Sequence, residues 1–244
     1  MSLNSSMTVR EVATVWPNST RVFEKLQIDY CCGGDQPLDQ ACDKAGLNVE
    51  EVIQLLSEAK STGADSEATT LQSLALARLA DYIVTKHHVF TRNELERLTL
   101  LLTKVCTVHG ANHPELVQIQ SEFLRLYADL VPHMMKEENI LFPYIKRLEN
   151  AVVASAPAPF ASFGTVRNPI AAMMREHDAA GDILKNIREL SGNFALPEGA
   201  CFSYRTLYGA LEELEADLHQ HIHLENNILF PRAAELENQT QLTT

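Results

Sequence analysis

The sequence predicts an all-α protein: a small helical domain at residues 1–62, then a four-helix bundle at residues 69–238. Three observations carry this reading. Through most of the chain beyond residue 69, apolar and ligand-type residues recur at alternating steps of three and four, the seam of a helix facing a bundle core. A hydrophobic content of 45%, with only 10 glycines and 10 prolines among 244 residues, fits a folded, helix-rich chain. Finally, HMMKEENILFP at His133–Pro143 is answered by HIHLENNILFP at His221–Pro231, with seven of eleven positions in common. The bundle is therefore expected to consist of two copies of one helical hairpin.

Charge and composition remove several function classes. A formal charge of -12 argues against a surface that tracks phosphates, so no nucleic-acid partner is expected. The N-terminal residues lack the apolar run of a signal peptide, and no uninterrupted apolar stretch is long enough to span a bilayer. The expectation is a cytoplasmic protein without a membrane partner, and nothing demands more than a monomer, although a dimer stays open. The five cysteines, an odd number without CxxC spacing, argue against a disulfide framework and against a cysteine-only zinc site.

In the N-terminal unit, amphipathic runs at Thr8–Leu26, Leu38–Ala45 and Val49–Ala59 predict short helices. Between the first two lies Tyr30-Cys31-Cys32-Gly33-Gly34, adjacent thiols followed by glycines that allow backbone conformations closed to other residues. One reading is a buried and an exposed cysteine at a tight turn. The other is a reactive pair meeting a partner, which requires a lowered pKa or exposure. The polar stretch Lys60–Ser66, with Gly63, predicts the linker.

The first bundle helix carries its seam on Leu95, Leu98, Leu102, Val105 and His109, and backward extrapolation reaches Thr91, His88 and Val84. His88 is thus expected inward and His87 about 100° round the helix. Thr91–Glu94 mimics a capping box, but the unbroken phase predicts a continuous helix. The second helix, entered at Pro114, carries Leu116, Ile119, Phe123, Leu126, Leu130, His133, Glu137, Ile140 and Tyr144 inward, with kinks expected at Pro132 and Pro143 unless the helix ends there. Ala151–Arg167 is the joint between the halves. Asn168-Pro169 opens a third helix with Ile170, Met174, His177, Gly181 and Leu184 inward, and the fourth presents Leu207, Leu211, Leu214, Leu218, His221, Glu225 and Ile228. Residues 238–244 are expected to fray.

Spacing repeats along with sequence: His88 and His133 are 45 residues apart, His177 and His221 are 44. Each hairpin offers one histidine from its first helix and a His-x-x-x-Glu pair, one turn apart on one face, from its second. Packed about an approximate two-fold, they place four histidines and two glutamates at one level of the bundle. If each glutamate bridges, two metal ions each receive two imidazole nitrogens and two carboxylate oxygens. A solvent-derived oxo or hydroxo bridge completes five ligands, with one position open for a small molecule. Such mixed donors suit iron better than calcium or magnesium, with manganese and zinc as alternatives. Without a metal the same groups are buried unpaired, at a cost of about a few kcal/mol each. His109, although on the seam, lies too far along the helix, and His113, His219 and His223 are expected at the surface or behind the donors.

With these residues in place, the chain resembles the hemerythrin-like proteins, whose metal-binding motif its HxxxE followed by ILFP matches. The YCCGG domain ahead of it resembles the N-terminal domain of the iron-sulfur cluster repair di-iron proteins. The resemblance covers nearly the whole chain. It implies a bacterial cytoplasmic protein with a centre of two non-haem iron ions, oxo- or hydroxo-bridged, made in response to nitric oxide or oxidative stress. It further implies damaged iron-sulfur proteins as clients and nitric oxide or oxygen as gaseous ligand. Carried over by position, the ligands are His88, His133, Glu137, His177, His221 and Glu225, with Glu137 and Glu225 as bridges and Cys31 and Cys32 as redox or transfer thiols. Oxygen-carrying hemerythrins use one histidine more. The Ala151–Arg167 joint is longer than usual for the family, a loop extension or a lid.

Two functions are compatible with this resemblance. A di-iron stress protein repairs clusters by iron donation, by reduction of nitric oxide to nitrous oxide, or by both. A hemerythrin-type sensor or carrier instead binds oxygen or nitric oxide reversibly and yields no product.

Overall fold

The computed structural model describes residues 3–61 and 71–241. Four short helices form the N-terminal unit: α1 (Val9–Val15), α2 (Ser19–Leu26), α3 (Leu38–Ala45) and α4 (Val49–Ser61). The expected single run from Thr8 to Leu26 is broken at Trp16-Pro17-Asn18, because a proline cannot continue the helix it follows. Thr8 starts α1 with a reciprocal capping box to Glu11. Phe23, Leu38 and Val52 are buried at the centre of this unit. Of the linker stretch, residues 60 and 61 end α4, and residues 62–66 lie outside the described residues.

Four long helices come next. α5 runs through Leu76–Ile83, a π-helical turn at Val84–His88, and Val89–His109. α6 runs through Glu115–Lys136, a π turn at Glu137–Leu141, and Phe142–Val153; α7 is Arg167–Leu190. α8 runs through Phe202–Leu224, a π turn at Glu225–Leu229, and Phe230–Gln241. α5 packs against α6 and α8, and α6 against α7. Among the described residues no helix is long and apolar enough to cross a membrane.

The π turns correct the expected register. The Phe142 N–H reaches back to the Glu137 carbonyl, and Phe230 to Glu225, one residue further than in an α-helix. Each such bond falls one residue before a proline, Pro143 or Pro231, which has no N–H to give. The extra residue rotates the remainder of the helix, so Leu141 is buried and Ile140, expected inward, is 50% exposed. Ile228, its counterpart, stays buried in an apolar cluster with Leu76, Leu224 and Phe230, and α1 lies against that turn. The π turn in α5 likewise buries Ile83 in place of Val84, and buries His87 as well as His88. Neither Pro132 nor Pro143 ends α6. On α7 Ile170, His177 and Leu184 are buried as expected, whereas Met173 and Ala180 are buried in place of Met174 and Gly181.

Two apolar slabs fill the bundle. One surrounds Leu95, Phe123, Ile183 and Leu211, and the other Ile83, Tyr144, Ile170 and Phe230. Of the stretch expected to fray, residues 238–241 stay helical and residues 242–244 lie outside the described residues, and just ahead of it α8 buries Glu237. That carboxylate accepts hydrogen bonds from Tyr144 Oη (2.9 Å), the Val166 N–H (2.8 Å) and Thr165 Oγ1. It thereby ties the Ala151–Arg167 joint onto the second slab. Glu237→Ala leaves those donors unpaired and is expected to lower stability by about 2–4 kcal/mol, read by urea unfolding. An unchanged midpoint contradicts this role.

Candidate metal centre

Between the two slabs lies one polar layer. His88, His133, His177, His221, Glu137 and Glu225 are each at most 2% exposed. The structure brings all six together as two overlapping groups, His88/Glu137/His221/Glu225 and His133/Glu137/His177/Glu225, with both glutamates common to the two. In each group the histidine Nε2 atoms face one another, His88 and His221 at 3.2 Å, His133 and His177 at 3.1 Å. Carboxylate oxygens close the ring: Glu225 stands 3.0 Å from His221 Nε2 and 3.1 Å from His177 Nε2, Glu137 3.3 Å from His133 and 3.4 Å from His88. π turns begin at Glu137 and Glu225 and one ends at His88, so the local departure from α-helical winding occurs where the donors point inward.

The opposite ring nitrogens fix the tautomers. His88 Nδ1 donates to Glu138 (2.7 Å), His133 Nδ1 to Glu176 (2.8 Å) and His177 Nδ1 to Asn226 Oδ1 (2.8 Å). Carboxylate and amide oxygens only accept, so in the neutral rings the proton sits on Nδ1 and the lone pair on Nε2 points into the layer. Arg92 holds Glu138 in place and Lys136 holds Glu176. The layer thus gathers lone pairs and carboxylates, and both Glu137 oxygens and one Glu225 oxygen have no hydrogen-bond partner among the described residues. A set of buried acceptors aimed at common points fits a cation, and mixed imidazole and carboxylate donors fit iron among them.

Electrostatics follows the same geometry. Burial lowers the pKa of His133, but the charges of Glu137 and Glu225 and the bond to Glu176 outweigh it and push the group up to about 9. For His221 burial wins over Glu225, and the pKa is lowered. Glu225 is held well below the usual carboxylate range by His221 and His177, in spite of its burial.

Cys31 and Cys32 lie beside this layer. Their sulfurs are 3.7 Å apart, Cys31 buried and Cys32 partly exposed, over α7, where a Cβ on Gly181 would stand 3.8 Å from Cys32 Sγ. Asp29 accepts from the N–H groups of Cys31, Cys32 and Gly33 and shapes the loop. The Cys31 thiol is raised well above its ordinary pKa, first by its hydrogen bond to Cys32 and then by burial. Of the lowered pKa or exposure that a reactive pair requires, the lowered pKa is absent at Cys31, and the partial exposure is present at Cys32. Asn226 joins loop and centre, accepting from His177 and donating to the Cys31 carbonyl at 3.2 Å.

Sequence reasoning missed Glu138, Glu176, Asn226 and the burial of His87 and His223. The repeat held a usable signal: Glu138 and Asn226 occupy the same place, directly after Glu137 and Glu225. His109 stands apart at the far end of the bundle, 3.2 Å from Cys201 Sγ, and His113 pairs with Glu115. His219 meets Glu24 of α2. His223 is buried against Tyr30, the ring centroids 5.4 Å apart, and is bonded to Asn227.

A helical bundle with a doubled histidine and glutamate layer defines a hemerythrin-type cation-binding protein. Residues 79–233 match the family model of the hemerythrin HHE cation binding domain, and residues 5–60 match ScdA_N, a domain of unknown function (DUF542). The "Probable iron-sulfur cluster repair protein" of Haemophilus influenzae is 36% identical over 222 residues, 91% of this chain and 94% of the relative. The "Iron-sulfur cluster repair protein YtfE" of Pectobacterium atrosepticum is 37% identical over 223 residues, with the same coverage of 91% and 94%. The protein of that name from Yersinia pseudotuberculosis is 36% identical over 222 residues, again 91% and 94% of the two chains. The chain belongs to this iron-sulfur cluster repair protein family.

Burial, aided by the charge of Arg10, lowers His223 from 6.5 to about 4. The folded state thus favours the neutral ring. Its contribution is complete above pH 6.5 and is lost as pH falls toward 4, because the unfolded chain takes up the proton first. Compared with His223→Gln in chelator-treated protein, the native chain is expected to lose about 3 kcal/mol more between pH 7 and pH 4. Parallel unfolding curves for the two contradict the assignment.

Proposed function

We propose that this chain is a non-haem di-iron protein that serves the repair of iron-sulfur clusters damaged by nitric oxide or oxidants. The carrying observation is that two four-donor groups share both Glu137 and Glu225. His88 and His221 would hold one iron and His133 and His177 the other, with Glu137 and Glu225 common to both donor groups. When bound, the pair supplies one-electron chemistry and coordination positions for a small molecule such as nitric oxide or oxygen. Glu138, Glu176 and Asn226 hold His88, His133 and His177 with the proton on Nδ1 and the Nε2 lone pair inward, and the apolar slabs above and below keep bulk water out. The relatives' names support damaged iron-sulfur proteins as clients.

Iron donation is the route the surroundings favour. Asn226 connects His177 to the backbone of Cys31, so the thiol pair stands at the edge of the donor layer, and Cys32 is partly exposed to a docking client. As ligands the two sulfurs would bind as thiolates and release their protons to solvent, so that metal binding would offset the raised pKa of Cys31. Reduction of nitric oxide to nitrous oxide is the second reading. It is favoured by the shared carboxylates, which bring both groups into one layer where two small molecules meet.

Two assays on anaerobic protein separate these readings: iron transfer to a cluster-depleted dehydratase, and headspace nitrous oxide after addition of nitric oxide. The Cys31→Ser/Cys32→Ser variant is expected to keep its iron and lose most of the transfer. Undiminished transfer in that variant contradicts the thiol route. Reversible gas binding with neither transfer nor nitrous oxide favours the carrier or sensor instead.

A further inference from the structure

The two hairpins are copies, so each side chain around the donors has a counterpart. Glu138 and Asn226 occupy equivalent places and act alike, each accepting from the Nδ1 of the first-helix histidine of its own hairpin. Glu176 and His87 are the other equivalent pair, each directly before a donor histidine, and these differ. Glu176 accepts from His133 Nδ1 at 2.8 Å and is itself held by Lys136. His87 instead turns its Nδ1 to Asp217, at 3.0 Å, and lays its ring nearly parallel to His221, with centroids 5.6 Å and planes 11° apart. His221 Nδ1 is consequently buried with no hydrogen-bond partner among the described residues. The place of Lys136 is taken by Leu224, so the whole ion pair behind His133 is missing behind His221.

From this asymmetry we infer that the two iron ions are held unequally, and that the ion on His88 and His221 is the one released first. The inference rests on the di-iron reading above. A histidine whose outer nitrogen is bonded to a carboxylate is oriented and made more basic, and loss of such a partner costs about 10–100-fold in metal affinity. His133 has that support and His221 does not. A second observation lies on the same side: a cavity of ≈ 250 Å³, between α2 and the α5–α8 face, has His87 in its wall, with Asn18, Arg21 and Lys86 opposite and beside it. The His87 ring in this wall is the one stacked on His221. The less supported donor therefore lies directly behind a residue of the cavity wall.

The test uses the full chain loaded anaerobically with ferrous iron and mixed with excess ferrozine. Two equivalents per chain are expected in two equal phases, their rates differing about 10–100-fold. Glu176→Gln is expected to accelerate the slow phase alone, and His87→Glu/Leu224→Lys, which rebuilds the missing ion pair, to slow the fast phase alone. Two equivalents leaving in one phase, or Glu176→Gln acting on the fast phase, overturn the inference while leaving the di-iron reading intact. Fewer than two equivalents from the native chain overturns the di-iron reading itself, and the inference with it.

Discussion

The mutual approach of lone pairs at the centre of the bundle is the constraint on which the remaining structure depends. Four imidazole nitrogens and two carboxylates meet inside a dry layer, with Nε2 atoms 3.1–3.2 Å apart. Uncompensated, such a layer is strongly unfavourable, since each buried ionic group loses its hydration. Three features keep it assembled. Apolar slabs on both sides fix the helices, π turns aim Glu137 and Glu225 inward, and Glu138, Glu176 and Asn226 hold the rings from behind. A cation at the common points supplies the missing partner, so metal binding and folding of this layer are coupled.

The N-terminal unit is attached to that layer. Asn226 and Asn227, adjacent on the π turn of α8, donate to the carbonyls of Cys31 and Tyr30, and Tyr30 packs its ring against His219 and His223. The thiol loop therefore takes its position from the same turn that directs Glu225. One side chain, Asn226, connects His177 of the centre to the Cys31 carbonyl.

Much of this architecture is legible because amphipathic periodicity and duplication report directly on burial. The three-four seam in α8, from Leu207 to Glu225, lies on buried residues throughout, and the His88/His133 and His177/His221 spacings bring those rings to one level. The seam loses its meaning where the helix departs from 3.6 residues per turn. An ideal helix places Ile140 and Val84 inward, and the π turns move Leu141 and Ile83 there instead. On α7, short side chains weaken the periodic signal, and Met173 and Ala180 join Ile170, His177 and Leu184 on the buried face in place of Met174 and Gly181. His87 is hidden from the sequence for another reason. Its burial depends on Asp217 and Tyr82, one of them 130 residues away, and no local pattern encodes such a contact.

Iron content of anaerobically purified protein, measured with its absorption spectrum before and after exposure to air, tests the central claim most directly. The account requires about two iron atoms per chain, with oxo-bridge absorption appearing in air, and loss of both when Glu225 is replaced by Ala. A native chain that purifies without metal, or with zinc that iron does not displace, contradicts it.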